Sequence, residues 1–528
     1  MADRKRKRPR AKRGPEQLVD REGSADEALE PAFAPPEALD SDQSDIRSDD
    51  AIQTDAPFES APPAPPAEEP TRRHRIRGRL AGVVALALLV ALVGVVLQDQ
   101  VGPRKPAAGA AGGGLSGAWL CPHGGGTGQR AWVAVTNPGT RAVPIRITTF
   151  GSKGVLAERS EVIPPFTQLI RQVPAKQAGT ATEVEYFGGW AGAGWVVQQR
   201  EPQTALASSR CAGGPSPTWY LPDLPTGRGQ RASMVVMNPF AEDAVVNVTL
   251  RTDRRAAVRP GQLTALVVPA GTSRAIGVNR FLLQAPAERI VSGEVQVKVG
   301  RVVAGAVNSS SSGLASEVGV DDAASASNLP MAGVAASTLA LLNPRQRRSD
   351  VTVVAQSDRE QRVVSGVEGL SIGPDSAAAF PVTATFAGVA VQATNRARVA
   401  VERRAAGTNG DPALVGPAPV AGDRWLLLPT MGPGGGRALL VVQNPGQAPA
   451  DVKVELLGPA GHLPGAPTSF RVAAGRAVVI ELTGPSQDRP VSALVAATGG
   501  TIVVGGSSYG AGNAGFASTL AVPVPEIR

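Results

Sequence analysis

An Asn-Pro dipeptide closes an apolar run four times along this chain of 528 residues, at Asn137-Pro138, Asn238-Pro239, Asn343-Pro344 and Asn444-Pro445. The spacings are 101, 105 and 101 residues, so the chain folds one unit four times over. Upstream of each Asn lies an apolar-Pro signature: Trp119-Leu120-Cys121-Pro122, Trp219-Tyr220-Leu221-Pro222, Leu329-Pro330, and Trp425 through Leu428-Pro429. Eight residues after each Asn stand Ile145, Val246, Val351 and Val452, and ten after it Ile147, Val248, Val353 and Val454. Mostly polar residues alternate with them, as Asp451, Lys453 and Glu455 do in the fourth copy. That period of two predicts a half-buried strand at one offset in every copy. Asn-Pro then reads as punctuation, because Pro cannot donate to a ladder and Asn before it starts a turn.

With 61 Gly and 46 Pro, long helices are disfavoured and short strands joined by tight turns are favoured. The count of about seven short segments per copy predicts an all-β chain of four tandem immunoglobulin-like β-sandwich modules, at 118–214, 215–326, 327–420 and 421–528. A β-propeller with two blades per copy is the alternative, although no half-repeat is visible. Separate modules are expected to have separate cores, so that damage to the first leaves the fourth intact.

Residues 1–79 read as a disordered cytoplasmic tail, with a basic run from Arg4 to Arg13 followed by an acidic, Pro-rich stretch. Leu80 to Leu97 is an uncharged apolar run, long enough for a single transmembrane helix over 80–97. Arg72, Arg73, Arg75, Arg77 and Arg79 crowd its N-terminal side. The positive-inside rule therefore predicts a plasma-membrane protein with a cytoplasmic N-terminus and an extracytoplasmic bulk, entered through a Gly/Ala/Pro linker over 98–117. A cleaved signal peptide is the other reading, with small residues from Ala107 to Ala111 for a peptidase, and a later start codon would favour it.

The two cysteines, Cys121 and Cys211, stand at opposite ends of the first copy, and export permits a disulfide between them. With three His in the chain, no metal site is expected; Cys121-Pro122-His123 offers only half of one. The Gly-rich stretches at Gly124 and Gly434 lack the Lys-Ser/Thr ending of a phosphate loop, and no cofactor is expected. The carboxylate pairs Glu183/Glu185 and Asp321/Asp322 could serve a glycoside hydrolase, but neither recurs in the other copies, and charge on strands or loops explains them. Trp190 and Trp195 flank a small-residue loop and could stack on a glycan, or cover the end of a core. The basic N-terminal run is a weak reason to invoke nucleic acid.

Arg-rich flank and anchor, Cys-Pro with a late Cys, and tandem Val-x-Asn-Pro modules together resemble an actinobacterial family of secreted or membrane-anchored envelope proteins of uncharacterised function. The resemblance implies location and brings no catalytic residue. The reading is a non-catalytic single-pass envelope protein, a scaffold or protein-interaction stalk whose partners are envelope proteins. A glycan-binding module set for cell-wall biogenesis is the alternative, and a carboxylate-using hydrolase a lesser one.

Overall fold

The computed structural model describes residues 116–525, apart from 200–203, 255, 283–289, 365–368, 384, 396, 419, 466–468 and 488. The expected tail and apolar segment, and the linker as far as residue 115, lie outside the described residues. Among the described residues no helix is long and apolar enough to cross a membrane. They are almost wholly strand, and belong to one compact unit that begins at Lys105.

The first repeat sets the pattern. Its strands are β1 (Gly117–Cys121), β2 (Gln129–Asn137), β3 (Val143–Gly151), β4 (Gly154–Ile163), β5 (Thr167–Val173), β6 (Ala181–Tyr186), β7 (Gly192–Gln199) and β8 (Ala205–Arg210). They form two antiparallel four-strand sheets, ordered β1-β6-β3-β4 and β5-β2-β7-β8. The same order recurs in each of the other three repeats, and the fourth adds Val522–Pro523 beside Arg424–Leu427. Neighbours in these sheets are not all neighbours in sequence, unlike the strands of a propeller blade. The chain crosses between sheets after β1, β2, β4, β5 and β6.

Alternation at the predicted offset puts Ile145 and Ile147 inside, with Val246 and Val248, Val351 and Val353, and Val452 and Val454 at the matching places. Residues from both sheets of the first repeat, Val133 and Val135 of β2 with Ile145 and Ile147 of β3, enter one core. Asp451 and Lys453 on the alternate positions are exposed.

The Asn before each Pro does more than mark a turn. Asn137, Asn238, Asn343 and Asn444 are fully buried. Asn137 Oδ1 accepts from the Gly139 amide at 2.9 Å, while Nδ2 donates to Arg141 O at 2.7 Å and to Ile163 O and Pro164 O at 3.1 Å. The side chain thus ties the connection between β2 and β3 to the connection between β4 and β5. Asn238 makes the equivalent bonds to Glu242 O and Val268 O, Asn343 to Arg347 O and Ile372 O, and Asn444 to Ala448 O and Val472 O. Each amide satisfies carbonyls that the crossovers would otherwise bury unpaired.

The repeats close on one another. The last strands, Ala205–Arg210, Gly313–Val318, Pro412–Val415 and Phe516–Leu520, abut in cyclic order, and the fourth returns to the first. A second set of contacts follows the same circuit. Three residues before each Asn, at Ala134, Val235, Ala340 and Val441, the facing residue on the next-to-last strand is Gly194, Gly305, Glu402 and Gly505. A Cβ on Gly305 would lie 2.9 Å from Pro122 of the first repeat. One on Gly505 would lie 2.7 Å from Pro330 O of the third, and one on Gly194 would lie 3.1 Å from Leu428 of the fourth. Glycine is needed there because the apolar-Pro segment of the preceding repeat lies on the strand. Cores are shared accordingly. Leu426, Leu428 and Val522 of the fourth repeat belong to the core that holds the first and second, which corrects the expectation of separate cores.

Candidate functional site at the junction of the second and third repeats

At the one junction where Glu402 replaces glycine, the preceding segment carries Asp223, and the two meet: the Asp223 amide donates to Glu402 Oε2 at 3.1 Å. Two residues beyond Glu402, Arg404 Nη1 lies 3.0 Å from Asp223 Oδ1. Asn308, on the next-to-last strand of the second repeat (Val303–Ser310), donates from Nδ2 to Asp223 O at 2.9 Å. Glu317, on that last strand, accepts from Ser209 Oγ of the first repeat at 2.8 Å. Asp223, Glu317 and Glu402 are each at most 2% exposed.

Burial dominates their protonation. It pushes Glu317 up to about 8, against the weaker opposing pull of the Ser209 hydroxyl and Arg210. Glu402 is raised well above the ordinary carboxyl range by burial first, then by repulsion from Asp223 and Glu317. Asp223 is also raised by burial, with Arg404 opposing. The same physics lowers Arg210, whose charge is desolvated. Neighbouring Arg403, fully buried, is lowered to about 10 and donates to Phe386 O at 2.8 Å and to Leu329 O and Ala387 O at 3.3 Å. Arg403 thus braces the third repeat internally, whereas Asp223, Glu317, Glu402 and Arg404 join repeats, and the carboxyls are shielded from solvent.

Above the cluster a cleft of about 230 Å³ opens between the second and third repeats. Asn308, Ser309, Ser310, Ser337, Thr338 and Arg404 supply most of its polar lining, and among the described residues no carboxylate or aromatic ring lines it. Asn308 and Arg404 are the two residues shared by the cleft and the buried cluster.

The residues singled out in the sequence fall elsewhere. Cys121 and Cys211 form a disulfide with Cα atoms 4.5 Å apart, joining β1 to the segment after β8. Trp190 and Trp195 are 6% and 0% exposed, which corrects the expectation that they could stack on a glycan. Trp190 meets Trp119 edge to face at 6.2 Å between centroids, and Trp195 Nε1 donates to Ser316 Oγ of the second repeat at 3.0 Å. Their flat faces are spent on packing. His123 is buried, 3.0 Å from Thr182 Oγ1, and burial lowers it to about 3, so the ring is neutral. Glu185 pairs with Arg146 at 2.5 Å, and Asp322 with Arg398 at 3.0 Å. Among the described residues, no cluster of three or more His, Cys, Asp or Glu could hold a metal ion.

Reading the sequence one residue at a time misses Asp223, Glu317, Glu402 and Arg404. The signal that finds Glu402 is the alignment of the four next-to-last strands, where three copies carry glycine.

No family model matches the chain, and no curated protein matches it. Among solved structures, the chain is compared with the crystal structure of a tetra-tandem repeat in the extending region of a large adhesion protein, at 12% identity. The match spans 78% of this chain and 100% of that one, with a TM-score of 0.09 that carries no argument about fold or function.

Proposed function

We propose that the four repeats, each an immunoglobulin-like sandwich, form a non-catalytic extracytoplasmic scaffold of the cell envelope. In this reading the 80–97 segment holds them at the plasma membrane as its single transmembrane helix, with residues 1–79 in the cytoplasm, and the chain stands with the actinobacterial envelope proteins that its motifs resemble. The observation that carries the non-catalytic part is the state of the acidic groups. The buried carboxyls of Asp223, Glu317 and Glu402 are engaged between repeats, and none lines the cleft. General acid–base work needs a carboxyl within reach of a bound substrate. Two sheets sharing one core support the sandwich reading, and the Cys121–Cys211 disulfide suits an oxidising compartment. Because the last strands abut in a circuit, the scaffold is a closed body and not a linear stalk. Its surfaces then meet envelope proteins as one rigid unit.

The test is topology. External protease added to intact protoplasts is expected to remove a C-terminal epitope and spare an N-terminal one. A protected C-terminus would defeat the extracytoplasmic placement.

A further inference from the structure

We propose that the cleft between the second and third repeats binds a neutral sugar unit, with the Asn308 amide oxygen as the acceptor for a ligand hydroxyl. The inference rests on the non-catalytic reading, since the cleft then has only to hold its ligand. Asn308 is 4% exposed, and its two amide atoms have different fates. Nδ2 is fixed on Asp223 O at 2.9 Å, which settles the orientation of the amide. Oδ1 is buried with no hydrogen-bond partner among the described residues, on a side chain that lines the cleft. An acceptor left unpaired in that way costs about 1–3 kcal/mol, and a ligand donor would recover it.

The rest of the lining narrows the chemistry. A bare anion brings no donor for Asn308 Oδ1. Arg404, the one cation there, already faces Asp223 Oδ1 at 3.0 Å, which counters part of its charge. Ser309 and Thr338 line the site with hydroxyls that donate or accept as the ligand requires, while Ser337 Oγ is committed to Val382 O at 3.2 Å and Ser310 Oγ pairs with Ser312 Oγ at 2.7 Å. A ligand that offers donors and acceptors on adjacent atoms, and carries no charge, matches this set. Vicinal hydroxyls of a sugar ring have that pattern. The volume of about 230 Å³ lies below the usual range for a drug-sized pocket, which sets the occupant at one ring.

The experiment is ligand-observed saturation-transfer NMR on the full chain in detergent, with the methyl glycosides of glucose, galactose, mannose and N-acetylglucosamine. At least one is expected to bind at millimolar Kd, undisturbed by equimolar inorganic phosphate. Asn308→Ala is expected to weaken binding at least tenfold. Should that variant fail to fold, Thr338→Val, which changes only a partly exposed lining hydroxyl, is expected to weaken binding severalfold at unchanged Tm. No transfer to any of the four glycosides, displacement by phosphate, or binding indifferent to the folded variants would overturn the proposal. None of these results would touch the protease-accessibility test of the scaffold.

Discussion

The Asp223 amide and the Glu402 carboxylate meet at 3.1 Å across the junction of the second and third repeats, where the three other junctions set glycine under the preceding segment. One copy has thus exchanged a close backbone approach for a buried acid. An acid in that place is tolerated because burial shifts it toward its neutral form and the Asp223 amide donates to it.

That exchange has a pH signature. Glu317 sits near 8 in the folded state against an ordinary 4.5, so between those values the folded chain holds a proton that the unfolded chain has lost. Its stabilising contribution is complete below about 4.5 and declines as pH rises towards 8. Glu402 and Asp223 shift in the same direction. Urea unfolding midpoints are expected to fall between pH 6.5 and 8, and Glu317→Gln to flatten the decline by up to about 1.4 kcal/mol per pH unit. An unchanged slope in that variant would remove Glu317 as the cause.

His123 works from the other side. Its folded value of about 3 against 6.5 means the unfolded chain takes up a proton first on acidification. The contribution of the neutral ring is complete above about 6.5 and is lost as pH falls towards 3. His123→Gln is expected to soften the loss of stability between pH 6 and 4, read from the same urea midpoints, while leaving the alkaline limb unaltered.

Arg404 counters the buried charge of Asp223. Arg404→Met keeps the stem but removes the guanidinium, and is expected to destabilise the chain by about 3 kcal/mol at pH 8. The loss should shrink at pH 5, where Asp223 can take up a proton more readily. Calorimetry at the two pH values checks it, and equal losses would place the role of Arg404 in packing.

Strand positions were legible because burial imposes a period of two, and Ile145, Ile147 and their counterparts in every copy obey it. Asn-Pro was legible as a turn, but the Asn side chain's ties to the β4–β5 connection and its counterparts are not, since Ile163 and Val268 lie well downstream without a motif. Trp195 misleads for a local reason: the Gly and Ala beside it imitate a loop, whereas they belong to β7 and leave room for the fourth repeat. Closure of the four copies is carried by Gly194, Gly305 and Gly505, whose small size leaves no hydropathy pattern. The cleft was invisible because its residues come from two repeats.

The Asn positions separate a turn former from a structural hub. If Asn444 merely favoured turn geometry, Asp would serve nearly as well, since both residues form such turns. In the fold, however, its Nδ2 donates to Ala448 O at 2.9 Å and to Val472 O at 3.0 Å. Asp offers oxygens to both carbonyls, so repulsion and a buried charge are added to the lost bonds. Asn444→Asp is therefore expected to destabilise at least as much as Asn444→Ala, itself costing about 2–3 kcal/mol for two unmet carbonyls. Because the fourth repeat shares its core with the first, unfolding should remain one transition in both variants. Differential scanning calorimetry reads both quantities. A milder effect of Asp than of Ala would return this Asn to the role of turn marker, and a split transition would separate the fourth repeat from the circuit.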